Sequence, residues 1–438
     1  MARVSDPLIA ITGLGLVCPL GNDVPTALAR ASRGERAIRS YTSPWVAPAH
    51  AHLHQRVGGT VVDFDAGRWL EPRFAERQEP GVLYALAAAA EALTQAGLTD
   101  GGDRDRLGCV VGAGLAGAEL WHRALHAAYG ADRPDGIARM AAIAITGTAA
   151  TGLLAIRHQL RGPSIGLANA CASGTSAIVV GADQIRLGRA DAMLVGGCES
   201  SMRSLLAYAS FVDAGMNPTT DPVGACTPFA AGRKGFVLAE GAGMLVLERL
   251  DVAQARGAEV LAILAGSALT NDAFHVISPD PTGAAWARVI RAALADAGVD
   301  ASQIDAVSAH ATATPQGDVA ETRAIHAVLG ARARQVPVSA TKSMHGHAFG
   351  AAGAIETALA VAAMRAGLVL PTIDLDVADP DCDLDYVPHR ARRHPVRVLV
   401  KHGFGAGGVA SALVLRHGDD IEAPLRARPA PPHEQFAF

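Results

Sequence analysis

The stretch Ala168-Asn169-Ala170-Cys171-Ala172-Ser173-Gly174-Thr175 decides how the rest of the chain is read. Upstream of it, Gly162 to Leu167 reads as a turn and a short buried strand. Downstream, Ala177 to Gly188 has helical length and a glycine stop. Cys171 is therefore predicted to lie where a strand ends and a buried helix begins. Unpaired backbone N–H groups and the positive end of the helix dipole favour a thiolate there, so a lowered pKa is expected. Ala170, Ala172 and Gly174 are small enough to let a substrate reach the sulfur. The same segment also describes an inert cysteine in an alanine-rich core, which is the commoner situation. The remainder of the chain has to separate the two.

Half of the 438 residues are hydrophobic and 18% are charged, which suits a large core or a core plus an extensive subunit interface. The length suits two or three domains, or one large duplicated one. A net charge of −4 supplies no bulk attraction to nucleic acid, and 4% aromatic residues leave little for base stacking. No nucleic-acid partner is expected. Cys18, Cys109, Cys171, Cys198, Cys226 and Cys382 include no C-x-x-C pair, so neither a disulfide framework nor a zinc pattern is read. That usage suits a reducing cytoplasm. The first residues lack the apolar core of a signal peptide. The longest uncharged run, Gly162 to Ala182, is too polar for a membrane span.

Short apolar runs closed by glycine predict buried strands at Leu8 to Gly15, Leu107 to Gly114 and Ala192 to Gly197. A turn feeding a strand is predicted over Gly235 to Glu248. Helices are predicted over Val24 to Gly34, Pro80 to Gly97 and Gly136 to Leu160. A second half then repeats strand, helix, strand, helix. Its strands are Val260 to Leu269 and Ile304 to His310, its helices Trp286 to Ala297 and Gly350 to Gly367. Val396 to Gly405 and Ala410 to Arg416 read as a terminal hairpin. This alternation predicts an α/β fold with buried sheets, divided into residues 1–250, 251–418 and a tail, 419–438, rich in Pro, Ala and charge. Identity between the halves is too weak to establish a repeat from sequence alone.

Two histidines stand out by their surroundings. His310 ends a buried strand and is followed by Ala311-Thr312-Ala313-Thr314-Pro315. His347 closes Lys342-Ser-Met-His-Gly-His347 just before an alanine-rich helix. His345 and His347 lack a third ligand at zinc-like spacing, so no metal is expected. The loop Gly403-Phe404-Gly405-Ala406-Gly407-Gly408 reads either as a hairpin turn or as backbone able to approach a substrate oxygen.

Taken together, these segments resemble the β-ketoacyl-[acyl-carrier-protein] synthases of the type II elongating class, from Ile9 to about Arg416. The motifs include Leu160-Arg-Gly-Pro-Ser164, Ala170-Cys-Ala-Ser-Gly174, Glu240-Gly-Ala-Gly-Met-Leu-Val-Leu-Glu248 and Asp272-Ala-Phe-His275. They continue through His310-Ala-Thr-Ala-Thr-Pro315, Gly317-Asp318, Glu321 and Gly350-Ala-Ala-Gly-Ala-Ile-Glu356. The resemblance implies a thiolase fold of two similar halves in five α/β/α/β/α layers, usually dimeric. It implies Cys171 as the nucleophile that carries the acyl chain, with His310 and His347 driving decarboxylation of a malonyl group. The backbone N–H groups of Cys171 and Ala406 match its oxyanion hole, and Lys342 and Glu356 a supporting charge pair. Thr312 and Thr314 match hydroxyls that hold phosphopantetheine. Phe404, Ala406 and Met140 fall at the gate and acyl pocket. Arg73, Arg77 and Arg203 are candidates for docking an acidic acyl carrier protein. No cofactor is implied beyond the carrier's own phosphopantetheine. The dimer would be of two like chains, or of this chain with a chain-length-factor-like subunit.

The chain also departs from that family's pattern. Ala406 stands where a second phenylalanine usually gates the cysteine. His402-Gly403 replaces Asn-Ser, and Ala311 and Ala313 replace Gly and Gly or Ser. Residues 140–150 are almost all small. A wider pocket is expected, for a stiff, branched or polyene-like chain in polyketide or other specialised synthesis. Housekeeping fatty-acid elongation, a same-fold acyltransferase that does not decarboxylate, and a structural partner subunit are the alternatives.

Overall fold

The computed structural model describes residues 7–42, 57–100, 102–130, 137, 141–212 and 214–420. Among them, ten strands form one sheet. Five come from the first half: β1 (Ile9–Val17), β2 (Leu107–Gly112), β3 (Ser164–Leu167), β4 (Ala192–Glu199) and β5 (Gly241–Arg249). Five come from the second: β6 (Ala262–Asn271), β7 (Ala306–Ser308), β8 (Val338–Ser339), β9 (Val398–Phe404) and β10 (Val409–His417). The order is β8-β7-β9-β10-β6-β1-β5-β4-β2-β3. Within each half the strands therefore run third, second, fourth, fifth, first. The sense of pairing matches too, since β2 lies parallel to β3 and β4 just as β7 lies parallel to β8 and β9. The last two pairings of each half are antiparallel. The duplication that residue identity alone does not establish is thus explicit in the topology. A short antiparallel contact, Ile9↔Leu264 to Ile11↔Ala262, joins the halves.

Helices complete five layers. The chain runs through α1 (Val24–Ser32), α2 (Pro80–Gln95), α3 (Ala149–His158), α4 (Ser173–Arg186), α5 (Leu205–Val212), α6 (Ala284–Ala297), α7 (Pro315–Leu329) and α8 (Phe349–Arg365). α2 and α3 cover the outer face of the first half, and α6 with α7 the outer face of the second. α4 and α8 lie between the two halves and touch strands of both. Alternation along the strands divides the core accordingly. Leu245 and Leu247 of β5 join the central cluster, while Met244 and Val246 face α2. Leu413 and Leu415 of β10 point to the centre, while Ala412 and Val414 face α6.

Small residues set the spacing of these layers. A Cβ on Gly15 would lie 1.7 Å from the Ala88 carbonyl oxygen of α2, and one on Gly13 would lie 2.0 Å from that of Ala92. In the central layer a Cβ on Gly174 would fall 2.9 Å from Gly350 O and from Ala354 N, so α4 and α8 meet backbone to backbone. All of Phe349 to Met364 is buried, as its alanine content requires.

The helix expected over 136–160 is instead two, Ala141–Ala144 and α3. The chain breaks at Gly147 because β3 passes there, with Gly166 so near that its Cβ would meet Gly147 O at 2.2 Å. Residues 421–438 of the tail lie outside the described residues.

The close approach of β1 to α2 gives a stability test. Gly15→Val should lower the unfolding free energy by about 3 kcal/mol or more in urea denaturation, since a backbone carbonyl must move to admit it.

Candidate active site

The equivalent helices α4 and α8 begin at the same end of the central layer, and the groups singled out in the sequence gather there. Cys171 lies in the single turn Ala170–Ala172 that leads into α4. The Ser173 hydroxyl ties this turn, accepting from Asn169 N (2.9 Å) and donating to Ala170 O (2.6 Å). His347 immediately precedes α8. His310 follows β7, and the loop carrying Ala406 joins β9 to β10. That loop needs glycine at 405, where a Cβ would come 2.8 Å from Asn169 O and 3.1 Å from Cys171 N.

Cys171, His310 and His347 line one cavity of about 300 Å³. Thr312 and Thr314 line it too, their hydroxyls 3.0 Å apart, as do Phe404 and Ala406. The imidazoles of His310 and His347 stand perpendicular with centroids 5.5 Å apart. Neither ring nitrogen of His347 has a hydrogen-bond partner among the described residues, which leaves both open to a substrate atom. Aromatic rings that sequence reading passed over surround them. His347 stacks on Phe349 (4.8 Å), and Phe349 on Phe211 (4.4 Å). Trp286 stacks on Phe404 at 3.6 Å. Ala311 and Ala313 adopt φ of 43° and 63°, a left-handed backbone that glycine occupies more cheaply.

Burial dominates the electrostatics. It holds His310 well below the ordinary histidine range, helped by Lys342, and does the same to His347. Both rings are therefore neutral at neutral pH and work as hydrogen-bonding groups. The expectation for Cys171 is corrected. Burial pushes its thiol up to about 12, against the downward pull of Lys342 and of the backbone N–H groups of Ala406 and Cys171. The helix start acts in the direction expected, but desolvation exceeds it. Cys171 is half-buried and faces the cavity, so solvent there tempers the push.

Beneath the imidazoles lies a buried charge network. Lys342 Nζ donates to the His310 carbonyl and to Glu356. A second lysine, Lys401, reaches the other oxygen of Glu356 at 2.7 Å. Burial pushes Glu356 up, yet the two lysines overcome it and hold the carboxyl below its usual range. Glu321 accepts from His310 N (2.6 Å) and Ala311 N (2.7 Å) and pairs with His402. Lys401 was not singled out in the sequence. The signal was present: a lysine and a histidine side by side in the apolar run Val398–Phe404 must have partners if buried.

The remaining candidates separate. Arg73 and Arg77 are exposed, Arg73 beside Glu71 (3.1 Å). Arg203 is committed elsewhere: its guanidinium grips the buried Glu240 at 2.5 and 2.8 Å and the Tyr84 hydroxyl at 3.1 Å. The structure thus corrects its assignment as a free docking cation. Met140 lies outside the described residues. Among those residues no group of three or more His, Cys, Asp or Glu could hold a metal ion, and no helix is long and apolar enough to cross a membrane.

The chain is similar to known proteins. The family described as "Beta-ketoacyl synthase, N-terminal domain" matches residues 6–253, and "Beta-ketoacyl synthase, C-terminal domain" matches 261–376. The chain is 37% identical over 418 residues to 3-oxoacyl-[acyl-carrier-protein] synthase 2 of Rhizobium meliloti (strain 1021), covering 93% of this chain and 98% of the relative. It is 34% identical over 409 residues to the protein of the same name from Staphylococcus aureus (strain N315), covering 93% and 98%. Among solved structures, it is similar to a ketosynthase from a complex described as a type II PKS acyl-carrier protein with its ketosynthase bound to the hexaketide (TM-score 0.86, 31% identity, 94% and 100% covered). It is also similar to the ishigamide ketosynthase/chain length factor (TM-score 0.81, 32% identity, 94% and 100% covered).

The protonated resting thiol has a direct consequence. Alkylation of Cys171 by iodoacetamide, followed by peptide mass spectrometry, should accelerate with pH through 9 without levelling, about tenfold per pH unit. A plateau between pH 7 and 8.5 would show a thiolate already formed.

Proposed function

The chain belongs to the β-ketoacyl synthase family and is a β-ketoacyl-[acyl-carrier-protein] synthase, an acyltransferase, and on that premise we propose how its residues divide the work. Cys171 Sγ attacks the thioester carbonyl of an acyl chain delivered by an acyl carrier protein. The thiol proton leaves with the departing pantetheine thiol. The oxyanion formed on the way is held by the N–H groups of Cys171 and Ala406, and losing one such donor typically costs ~3–4 kcal/mol in barrier. Malonyl-carrier protein then enters, its pantetheine arm beside Thr312 and Thr314. Its carboxylate departs as CO2, leaving the bonding electrons as an enolate. The neutral imidazoles of His310 and His347 donate hydrogen bonds to the enolate oxygen. The enolate carbon attacks the acyl-cysteine carbonyl, the Cys171 sulfur leaves as a thiolate that takes up one proton from solvent, and the chain emerges two carbons longer. Lys342 and Glu356 support the histidines from behind. The reaction as written requires no cofactor.

The observation that carries this reading is the shared cavity. One half of the fold contributes the sulfur and the other half both imidazoles.

For the acyl chain we propose a stiff, polyene-like or otherwise unusual substrate of specialised synthesis. Ala406 leaves open the space a gating phenylalanine would fill, and the stacked rings of Phe211, Phe349 and His347 offer a flat wall to a conjugated chain. The second reading is housekeeping fatty-acid elongation, favoured by the names of the curated relatives.

The carrier protein is proposed to dock on Arg73 and Arg77. Assembly is proposed as a dimer, with a like chain or a chain-length-factor-like subunit. The edge strand β3, the exposed Ile156 on the helix α3 packed against it, and the exposed Trp121 and Ile143 support it.

CO2 release from malonyl-carrier protein tests the core of the proposal. Release is expected, and it should persist as pH falls through 6.5, because the lowered pKa values of His310 and His347 keep both rings neutral there. Acyl-enzyme formation without CO2 release would leave only an acyltransferase. Ala406→Phe should slow extension of long polyunsaturated chains by about tenfold while leaving short saturated chains within about threefold. Faster wild-type extension of plain saturated chains would favour the housekeeping reading.

A further inference from the structure

Lys401 and His402 are consecutive residues of β9, and both are fully buried. Consecutive strand residues face opposite sides of a sheet. Lys401 shares its side with Leu399, which belongs to the central cluster, and His402 shares the other with Val400, in the cluster under α6 and α7. Each finds a carboxylate on its own side. Lys401 meets Glu356 of α8, and His402 meets Glu321 of α7.

The two carboxylates lead to a single place. Glu356 holds Lys342, whose Nζ donates to the carbonyl of His310. Glu321 accepts the backbone N–H of His310 itself and that of Ala311. The backbone of His310 is thus gripped at its N–H from one face of the sheet and at its C=O from the other. β9 also pairs with β7, Lys401 opposite Ser308, two residues before His310. The same strand continues into Phe404, Gly405 and Ala406 at the cavity.

The grip answers a local need. Ala311 and Ala313 follow His310 with positive φ, and an alanine in that conformation stays there only if its surroundings hold it. No hydrogen bond to a side chain orients the His310 ring among those described, so its direction is set by its backbone together with the rings of His347 and Phe404 packed against it.

We propose that Lys401 and His402 are positioning residues that fix the His310 imidazole for the decarboxylation step through Glu356–Lys342 and Glu321 respectively. This rests on the decarboxylating function proposed above. Neither side chain touches the substrate. Loading of Cys171, which relies on the oxyanion hole, does not need them. The ionisable groups packed around His310 are Lys342, Lys401, Glu356, Glu321, His402 and His347, with His345 behind Glu356. Removing Lys401 takes a positive charge from this set without altering the cavity wall.

The test compares two rates in the full-length enzyme and its Lys401→Met and His402→Phe variants. The first is transfer of radiolabelled hexanoyl from hexanoyl-acyl carrier protein to Cys171. The second is CO2 release from malonyl-acyl carrier protein without an acyl donor, measured from about pH 4.5 to 8.5. The variants should lose about 30-fold or more in kcat for CO2 release, with KM within about threefold and hexanoyl loading within about threefold. In Lys401→Met the acid limb of the CO2-release profile should also move upward in pH, since one cation no longer opposes protonation of His310. His402→Asn keeps a donor near Glu321 and should recover most of the loss. If Lys401→Met fails to fold, the contrast between His402→Phe and His402→Asn decides. Equal losses in loading and CO2 release, or no loss in either, would overturn the assignment. A wild-type enzyme that loads hexanoyl but releases no CO2 would instead overturn the proposed function, and this inference with it.

Discussion

The structure depends on how closely two backbones approach each other in its middle layer. α4 and α8 touch through Gly174, Gly350 and Ala354, where backbone meets backbone, with only small side chains such as Thr175 beside the contact. Their first turns consequently open at one place, Cys171 ahead of one and His347 ahead of the other. The two halves of the sheet share a strand order, so these helices occupy equivalent positions, and the β7 and β9 ends of the second half fall beside them. A larger residue at 174 would push α4 away from α8, and one at 350 would press α8 against Ala113 and Gly114; either would shift Cys171 relative to His347. The alanine and glycine content of these segments is thus a requirement of the site as much as of the core.

Desolvation then sets the chemistry of what is gathered there. It leaves the thiol protonated and both imidazoles neutral, so the sulfur and the two rings carry no formal charge at rest. The charges sit one shell below, where Lys342 and Lys401 face Glu356, and Glu321 faces His402. Buried ions persist only when paired, and here every pairing ends on the backbone or flank of His310. Such an arrangement meets developing negative charge with dipoles already in place.

Much of this was legible in the chain. The strand–cysteine–helix reading at 164–186 holds, because a turn, an apolar run and a glycine stop are local signals. Cys171, His310 and His347 stood out by their neighbours, Thr312, Thr314 and Ala406 by the family resemblance, and all line one cavity. The direction of the cysteine pKa was not legible: a helix start is a local property, whereas desolvation depends on the whole surrounding fold. Arg203 has the same explanation, since Glu240, its partner, is 37 residues away. Lys401 lies 45 residues from Glu356, and His402 lies 81 from Glu321, so the strand showed the need for partners without naming them. The duplication was hidden for another reason. Strand order survives changes that erase residue identity.

The central claim is that one sulfur among six carries the growing chain. Peptide-level mass spectrometry after incubation with candidate acyl-acyl carrier proteins tests it directly. The account expects a single acyl mass on the peptide holding Cys171, lost on denaturing hydroxylamine treatment and absent from peptides holding Cys18, Cys109, Cys198, Cys226 or Cys382. Acyl groups on another residue, or none on Cys171 with any carrier offered, would contradict it.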